Sequence, residues 1–232
     1  MSADTCRRSE EEILAFVAGD LADGPALDVA RHLAGCADCR DAAVDFRALE
    51  ELVPEGCACA ALAWHAFETP FGRTYAAATP RGLVEITWRE TDDDAFVSSL
   101  EDRLPGHVVI RDAERLAEVE RQLDEYFRGA RTRFDLPVDL GALTAFQRRV
   151  LREARRLGHG EVVPYAELAR RVGRPEAYRA VGNALGRNPV PIVVPCHRVI
   201  RSDGSLGGYG GGQEYKRALF RIEGREDLLK AG

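Results

Sequence analysis

A cysteine and a histidine stand side by side near the end of this 232-residue chain. Cys196 and His197 follow the apolar, proline-bounded run Pro191-Ile192-Val193-Val194-Pro195, which predicts that the sulfur is held at a fixed place. A cysteine reacts as a thiolate, and a neighbouring imidazole or positive field lowers the pKa of the thiol. Most cysteines are instead small buried hydrophobes, so the residues around this pair must decide whether it is a nucleophile.

The third of the chain that contains the pair is strongly basic. Counting Lys and Arg against Asp and Glu, the net charge is −8 for residues 1–60, −6 for residues 61–140 and +8 for residues 141–232. A protein that concentrates its positive charge in one third of the chain is expected to bind a polyanion through that third. An arginine-rich face that meets only solvent is the alternative.

The composition is that of a globular protein, with 45% hydrophobic and 30% charged residues. No apolar run is long enough to span a membrane, and the polar N-terminus does not resemble a secretory signal. We therefore expect a cytoplasmic protein with no membrane partner. In that compartment six cysteines are more often metal ligands or nucleophiles than a disulfide framework.

The basic third is expected to be mostly helical. The predicted helices cover residues 144–157, 164–172 and 175–187. A capping box of Thr144 and Gln147 opens the first, and the glycine-containing turn between the other two predicts a helix-turn-helix. The last helix has a face of small residues that suits the narrow minor groove of DNA, and Arg179 on it could push into the base stack. Tight packing inside the core is the alternative.

Residues 65–140 are expected to form an α+β module. Strands at 75–79 and 83–88 flank a hairpin-like turn, and a third short strand covers 107–111. A helix capped by Asp112 follows and ends at Gly129. This module contains no evident catalytic motif, so we interpret it as a scaffold.

The C-terminal third resembles the O6-alkylguanine-DNA alkyltransferases. The matching motifs are, in order, Val163-Pro164-Tyr165-Ala166-Glu167-Leu168-Ala169, Arg179-Ala180-Val181-Gly182, Asn188-Pro189, Pro195-Cys196-His197-Arg198-Val199, and Gly208-Tyr209 with Lys216 and Glu223 beyond. Thr69-Pro70-Phe71-Gly72 and Gly82-Leu83-Val84 resemble the N-terminal domain of that family more weakly. The implied fold is an α+β alkyltransferase with a ribonuclease-H-like N-terminal part and a helical helix-turn-helix C-terminal part.

The resemblance implies DNA repair by irreversible transfer of the alkyl group from O6-alkylguanine to Cys196, as in single-turnover methylated-DNA–protein-cysteine S-methyltransferases. Activity on O4-alkylthymine is left open. His197, reaching Glu223 through a water, would activate the thiol, and Tyr165 would help to neutralise the departing base. The residues that would bind DNA or substrate are Arg179, Asn188, Val199, Tyr209, Gly210 and Lys216. The implied partner is double-stranded DNA held through its minor groove by a monomer without an organic cofactor.

Four residues near the N-terminus have the spacing of a metal site. His32, Cys36 and Cys39 form a His-x3-Cys-x2-Cys pattern, and Cys6 could complete a tetrahedral Zn²⁺ site. The segment resembles the zinc-binding anti-sigma domains of bacteria. That implies a small all-α zinc domain in a bacterial protein, with redox sensing or binding of a sigma factor as its possible roles, and a purely structural or docking role stays open. Cys57 and Cys59 are left unassigned.

The predicted domains are a zinc-binding domain at 1–53, a linker at 54–64, a scaffold at 65–140 and an active-site domain at 141–232. The alternative function is a zinc-dependent regulator or sensor that binds a sigma factor or detects alkylation without repair. The presence of Cys196, His197, Tyr165 and Glu223 together favours repair, because sensing needs only binding. A cysteine hydrolase is disfavoured, because the histidine directly follows the nucleophile in the chain.

Overall fold

The computed structural model describes residues 60–90 and 92–230, together with Asp28, Val29 and His32. His32 is helical and half-buried. Cys6, Cys36 and Cys39 lie outside the described residues, as do the predicted boundaries of the first domain. Within the described ranges, no helix is both long enough and apolar enough to cross a membrane.

The first part of the described chain is a four-stranded sheet with two helices. Its elements are β1 (Ala60–Thr69), β2 (Gly72–Thr79), β3 (Gly82–Thr87), α1 (Asp93–Arg103), β4 (His107–Arg111) and α2 (Ala113–Phe127). The strand order is β3-β2-β1-β4, with β4 parallel to β1 and the other neighbours antiparallel. The predicted hairpin and the predicted strand at 107–111 are confirmed.

Helix α2 forms where its capping residues and apolar spacing predict it. The Asp112 carboxylate accepts a hydrogen bond from the Arg115 amide at 2.9 Å, and Gly129 ends the segment at φ +74°. Leu116 and Leu123 are buried on the face that packs against β1. Burying each such side chain contributes about 1.5–3 kcal/mol, so packing holds α2 on the sheet.

The first strand begins at Ala60, so residues 60–64 belong to β1 and not to the predicted linker 54–64. Leu62 and Trp64 pack with α1 on one face of the sheet, whereas Ala63 packs with α2 on the other. A strand buried on both faces lacks the alternation of apolar and polar residues that identifies a strand in a sequence.

The second part of the described chain is mostly helical. Its elements are α3 (Ala145–Ala154), β5 (Val163–Pro164), α4 (Tyr165–Arg171), α5 (Tyr178–Gly186), a 3₁₀ helix (Cys196–Arg198), β6 (Val199–Ile200), α6 (Gln213–Ile222) and a second 3₁₀ helix (Glu226–Lys230). The capping box of Thr144 and Gln147 is confirmed. Helices α4 and α5 form the predicted helix-turn-helix, joined through Gly173 at φ +72°.

Two helices are shorter in the structure than the sequence predicts. Helix α3 ends at Ala154, because the amide of Leu157 donates to the Ala154 carbonyl and closes a tighter turn. Helix α5 begins at Tyr178 and not at Pro175, because the amide of Ala177 closes a separate turn.

Two short contacts bring the parts of the site together. Strands β5 and β6 pair in parallel, which places the start of α4 beside the segment that follows Cys196. The amide of Ile86 in β3 donates to the carbonyl of Pro189 at 2.8 Å, which joins the sheet to the loop that precedes Cys196.

Candidate active site

The segment before Cys196 is a buried turn. Val190 and Val194 are fully buried, and the amide of Val194 donates to the carbonyl of Val190 at 2.9 Å. Ile192 has φ +73°, a conformation that a β-branched residue adopts at a cost of about 1–3 kcal/mol. The surrounding packing therefore holds a strained turn, and that turn fixes the position of the sulfur.

Asn188 lies across this turn and contacts the sulfur. Its Oδ1 accepts the amide of Val190 at 3.1 Å, while its Nδ2 donates to the carbonyl of Val194 at 2.8 Å and to Cys196 Sγ at 3.1 Å. One side-chain amide thus fixes both ends of the turn and supplies a hydrogen-bond donor to the thiol.

The Cys196 thiol is buried, and two side chains assist its ionisation. Burial raises the pKa of the thiol, whereas the hydrogen bond from Asn188 and the nearby Lys216 cation lower it. Within the part of the chain that the structure describes, Cys196 is free of any disulfide.

His197 contacts Glu223 directly. Its Nε2 lies 2.8 Å from Glu223 Oε1, and both side chains are fully buried. The expected water between them is therefore wrong: Glu223, at the end of α6, packs directly against the 3₁₀ helix that carries His197. Because the carboxylate can only accept this hydrogen bond, Nε2 is the ring nitrogen that carries the proton, and Nδ1 keeps a lone pair. Nδ1 is buried with no hydrogen-bond partner among the described residues.

Glu223 accepts hydrogen bonds from three groups besides His197. Arg198 donates from Nη2 to Oε1 at 2.7 Å and from Nε to both oxygens. The hydroxyl of Tyr126 donates to Oε1 at 2.8 Å, and the amide of Gly160 donates to Oε2 at 3.0 Å. Burial alone would raise the pKa of Glu223, but the bonds from His197 and Arg198 hold it well below its ordinary value. The carboxylate is therefore an anion throughout the neutral range, whereas burial lowers the pKa of His197 and favours the neutral ring.

A cavity of about 640 Å³ opens onto Cys196 between the helix-turn-helix and the glycine-rich loop of residues 207–212. The predicted site residues that line it are Tyr165, Arg179, Cys196, Tyr209 and Gly210. His197 and Glu223 do not line this cavity. Its volume is within the range of small-molecule sites and can admit one nucleobase.

Two tyrosines form part of the cavity wall. The hydroxyl of Tyr165 lies 3.5 Å from the carbonyl of Gly208, and its ring faces Gly182 of α5, where an added Cβ would lie 3.7 Å from the ring. Burial raises the pKa of Tyr165, so its phenol keeps its proton. Tyr209 is more deeply buried, and its hydroxyl has no hydrogen-bond partner among the described residues.

Two of the residues predicted to bind DNA or substrate lie away from the cavity. Lys216 is fully buried, and its Nζ donates to the carbonyls of Val199 and Leu206. A buried ammonium needs such acceptors, so this cation is oriented towards the backbone and not towards a ligand. Val199 is fully buried in β6.

Arg179 lies near the start of α5, exposed at the mouth of the cavity. Its guanidinium lies 5.8 Å from the centre of the Tyr178 ring, and Tyr178 is the large apolar side chain that the described part of the chain leaves exposed. The two side chains are therefore presented together to whatever approaches this face.

Sequence reasoning missed Tyr126 and gave Arg198 no role. Tyr126 fits the apolar face of α2, so its spacing carries no signal of a polar partner. Arg198 lies inside a matching motif, but its bond to a carboxylate 25 residues later cannot be read from spacing.

The predicted zinc site cannot be built from the described residues. Of its four ligands only His32 is described, and no group of three or more candidate ligands occurs within the described ranges.

Family models match most of the chain. Residues 62–140 match the ribonuclease-like domain of 6-O-methylguanine DNA methyltransferase, and residues 145–225 match its DNA-binding domain. Residues 6–40 match a zinc-finger model.

Several curated relatives and solved structures are similar to this chain. The inducible methylated-DNA–protein-cysteine methyltransferase of Bacillus subtilis is 36% identical, over 65% of this chain and 84% of the relative. The constitutive enzyme of the same organism is 40% identical, over 63% and 92%. The structure of Mycobacterium tuberculosis OGT in complex with DNA has a TM-score of 0.59 and 33% identity, covering 73% of this chain and 98% of that one.

Proposed function

This chain belongs to the 6-O-methylguanine DNA methyltransferase family, and on that premise we propose that it repairs DNA by moving the alkyl group of O6-alkylguanine onto its own Cys196. The observation that carries the proposal is the position of Cys196. Its sulfur opens onto a base-sized cavity on one side, and it is flanked by Asn188 and the His197–Glu223 pair on the other.

The reaction is a displacement at the alkyl carbon. The thiol proton reaches Nδ1 of His197, the ring nitrogen left with a lone pair, through one bridging water, and Glu223 stabilises the imidazolium that forms. The Cys196 thiolate then forms a bond to the alkyl carbon while the carbon–O6 bond breaks, and its electron pair stays on guanine. Tyr165, whose raised pKa keeps it protonated, donates a hydrogen bond to the departing base.

The lesion must leave the duplex before this step, because the sulfur lies at the inner end of a cavity that a paired base cannot reach. Helix α5 presents its small residues to the minor groove, and Arg179 at the cavity mouth enters the stack where the base was. Tyr209 and Gly210 enclose the flipped base in the cavity.

The product is a thioether, which does not react further, so one protein molecule repairs one lesion. The test is the intact and peptide mass of the protein after mixing with duplex DNA that carries O6-methylguanine. We expect one methyl group on the Cys196 peptide, in stoichiometric amount and without turnover. The same duplex with unmodified guanine should give no mass increase.

The matched variant is Cys196→Ala, which should bind the modified duplex as the wild type does but accept no methyl group. Methyl transfer by this variant would contradict the mechanism. A wild-type protein that binds the lesion and gains no mass would support the alternative, a sensor or regulator without repair.

We also propose that Cys6, His32, Cys36 and Cys39 bind one Zn²⁺ ion. The match of residues 6–40 to a zinc-finger model and the ligand spacing support this site. Metal analysis of a Cys36→Ser/Cys39→Ser variant should show loss of zinc, while a Cys57→Ser/Cys59→Ser variant should keep it. Equal zinc in the first variant and the wild type would refute the site. The sigma-factor partner, the monomeric state and the cytoplasmic location stay predictions.

A further inference from the structure

The scaffold part of the chain contributes one side chain to the network behind the reactive cysteine. Tyr126, on the face of α2 that packs against the sheet, is fully buried. Its hydroxyl donates to Glu223 Oε1 at 2.8 Å, across 97 residues of sequence. This is the hydroxyl's one hydrogen bond among the described residues, and the neighbouring rings are those of Phe127, Phe134 and His159.

The oxygen that Tyr126 contacts is also the one that His197 uses. Glu223 Oε1 accepts from Tyr126 and from His197 Nε2 at the same distance, 2.8 Å, and from Arg198. The other oxygen accepts the amide of Gly160 and Arg198 Nε. A carboxylate has about four acceptor positions, so this donor set leaves Glu223 little freedom to rotate.

We propose that Tyr126 is a positioning residue for alkyl transfer, holding Glu223 Oε1 where it accepts the Nε2 proton of His197. The inference rests on the proposed function, in which His197 receives the thiol proton. With Nε2 engaged by the fixed carboxylate, the ring keeps the tautomer that leaves Nδ1 free to act as the base. A helix of the scaffold thereby determines the protonation state of the active-site histidine.

Packing alone does not account for a tyrosine at this position. A phenylalanine would fill the same space among the aromatic rings but would remove one of the donors that fix a buried carboxylate. Burial and the adjacent Glu223 raise the pKa of Tyr126, so the phenol keeps its proton at any pH at which the protein works. Among the described residues, the other charged or titratable groups near Tyr126, Glu223 and His197 are the Arg198, Lys216 and Arg225 cations, the Cys196 thiol, the Tyr209 phenol and the His159 ring.

The test is Tyr126→Phe in the full-length protein with ¹⁵N-labelled histidine. The chain has five histidines, and the His197 signals can be assigned by their loss in His197→Gln. In the wild type we expect Nε2 to carry the proton of the neutral ring. In Tyr126→Phe the carboxylate loses the donor that holds Oε1 against Nε2, so the fraction of the neutral ring that is protonated at Nε2 should fall. Glu223 then stabilises the imidazolium less, and the pKa of His197 should fall by about one unit. The rate of methyl transfer should fall by about tenfold.

Tyr75→Phe is the matched control. Tyr75 is also fully buried, and its hydroxyl bonds to Arg73 and Asp93, far from the cysteine. Tyr75→Phe should lower the free energy of unfolding and leave the His197 signals unchanged. Identical His197 signals in Tyr126→Phe and the wild type would overturn the inference, whatever happened to stability. Because these signals need no DNA, they test Tyr126 even if the wild type transferred no methyl group, a result that would count against the proposed function alone.

Discussion

Asn188 Nδ2 donates a hydrogen bond to Cys196 Sγ at 3.1 Å, and the same nitrogen donates to the carbonyl of Val194. The sulfur is therefore held by a group that also closes the turn before it. In a buried site a single neutral donor to a thiolate matters, because burial itself opposes ionisation.

Replacing Asn188 by alanine should make Cys196 less reactive. The variant loses a donor to the thiolate, so the pKa of the thiol should rise by about one unit, and its reaction with iodoacetamide near pH 7 should slow by about tenfold. The rate can be followed by the mass of the Cys196 peptide over a range of pH. Asn183→Ala, at an exposed position of α5, should leave the rate unchanged.

Replacing Glu223 by glutamine should destabilise the protein in a pH-dependent way. The folded-state pKa of Glu223 lies below its ordinary value of 4.5, so its ionised form stabilises the fold above about pH 4.5. That contribution is lost as pH falls towards the depressed pKa. Breaking a buried charge pair costs about 3–5 kcal/mol, so Glu223→Gln should unfold at much lower urea than the wild type at pH 7.

The pH dependence separates this effect from ordinary packing loss. The difference in unfolding free energy between wild type and Glu223→Gln should shrink as pH is lowered from 5 towards 3. Glu226→Gln, at an exposed position three residues later, should stay within about 0.5 kcal/mol of the wild type at every pH. A constant difference for Glu223→Gln would show that its charge is not the source of the stability.

Elements that depend on local chemistry could be predicted from the sequence. A helix that begins at a side-chain cap, as at Asp112 or Thr144, is specified by residues three positions apart. The same is true of the hairpin turn that precedes Gly82. Helix α5 lacks a side-chain cap, and there the predicted start was three residues too early.

Contacts between distant residues could not be predicted in this way. Glu223 could be identified from its motif, but neither Tyr126 nor the direct contact to His197 is encoded in any spacing. Lys216 shows the same limit: its motif position suggested a ligand contact, whereas burial orients its Nζ to two backbone carbonyls. Only the packed structure determines which donors meet which acceptors.

Replacing Lys216 by methionine should change how stability depends on pH above neutrality. Burial lowers the pKa of Lys216 from 10.5 to about 8, so the unfolded chain binds more protons between these values. The free energy of unfolding of the wild type should therefore increase as pH rises from 8 to 10.5, and Lys216→Met should not show this increase. The measurement is urea unfolding of both proteins at pH 7 and pH 10. Arg221→Met, exposed on the same helix, should keep the wild-type dependence.

The substitution Arg179→Ala separates base flipping from chemistry. Extruding a base costs a few kcal/mol of stacking and pairing, and a side chain that fills the gap recovers part of that only in a duplex. Transfer from duplex DNA should therefore slow by about tenfold, while transfer from the free O6-methylguanine nucleoside should stay within about twofold of wild type. Arg174→Ala, exposed in the turn before α5, should affect the duplex reaction much less. Equal slowing on both substrates would place the action of Arg179 at the sulfur and not in the base stack.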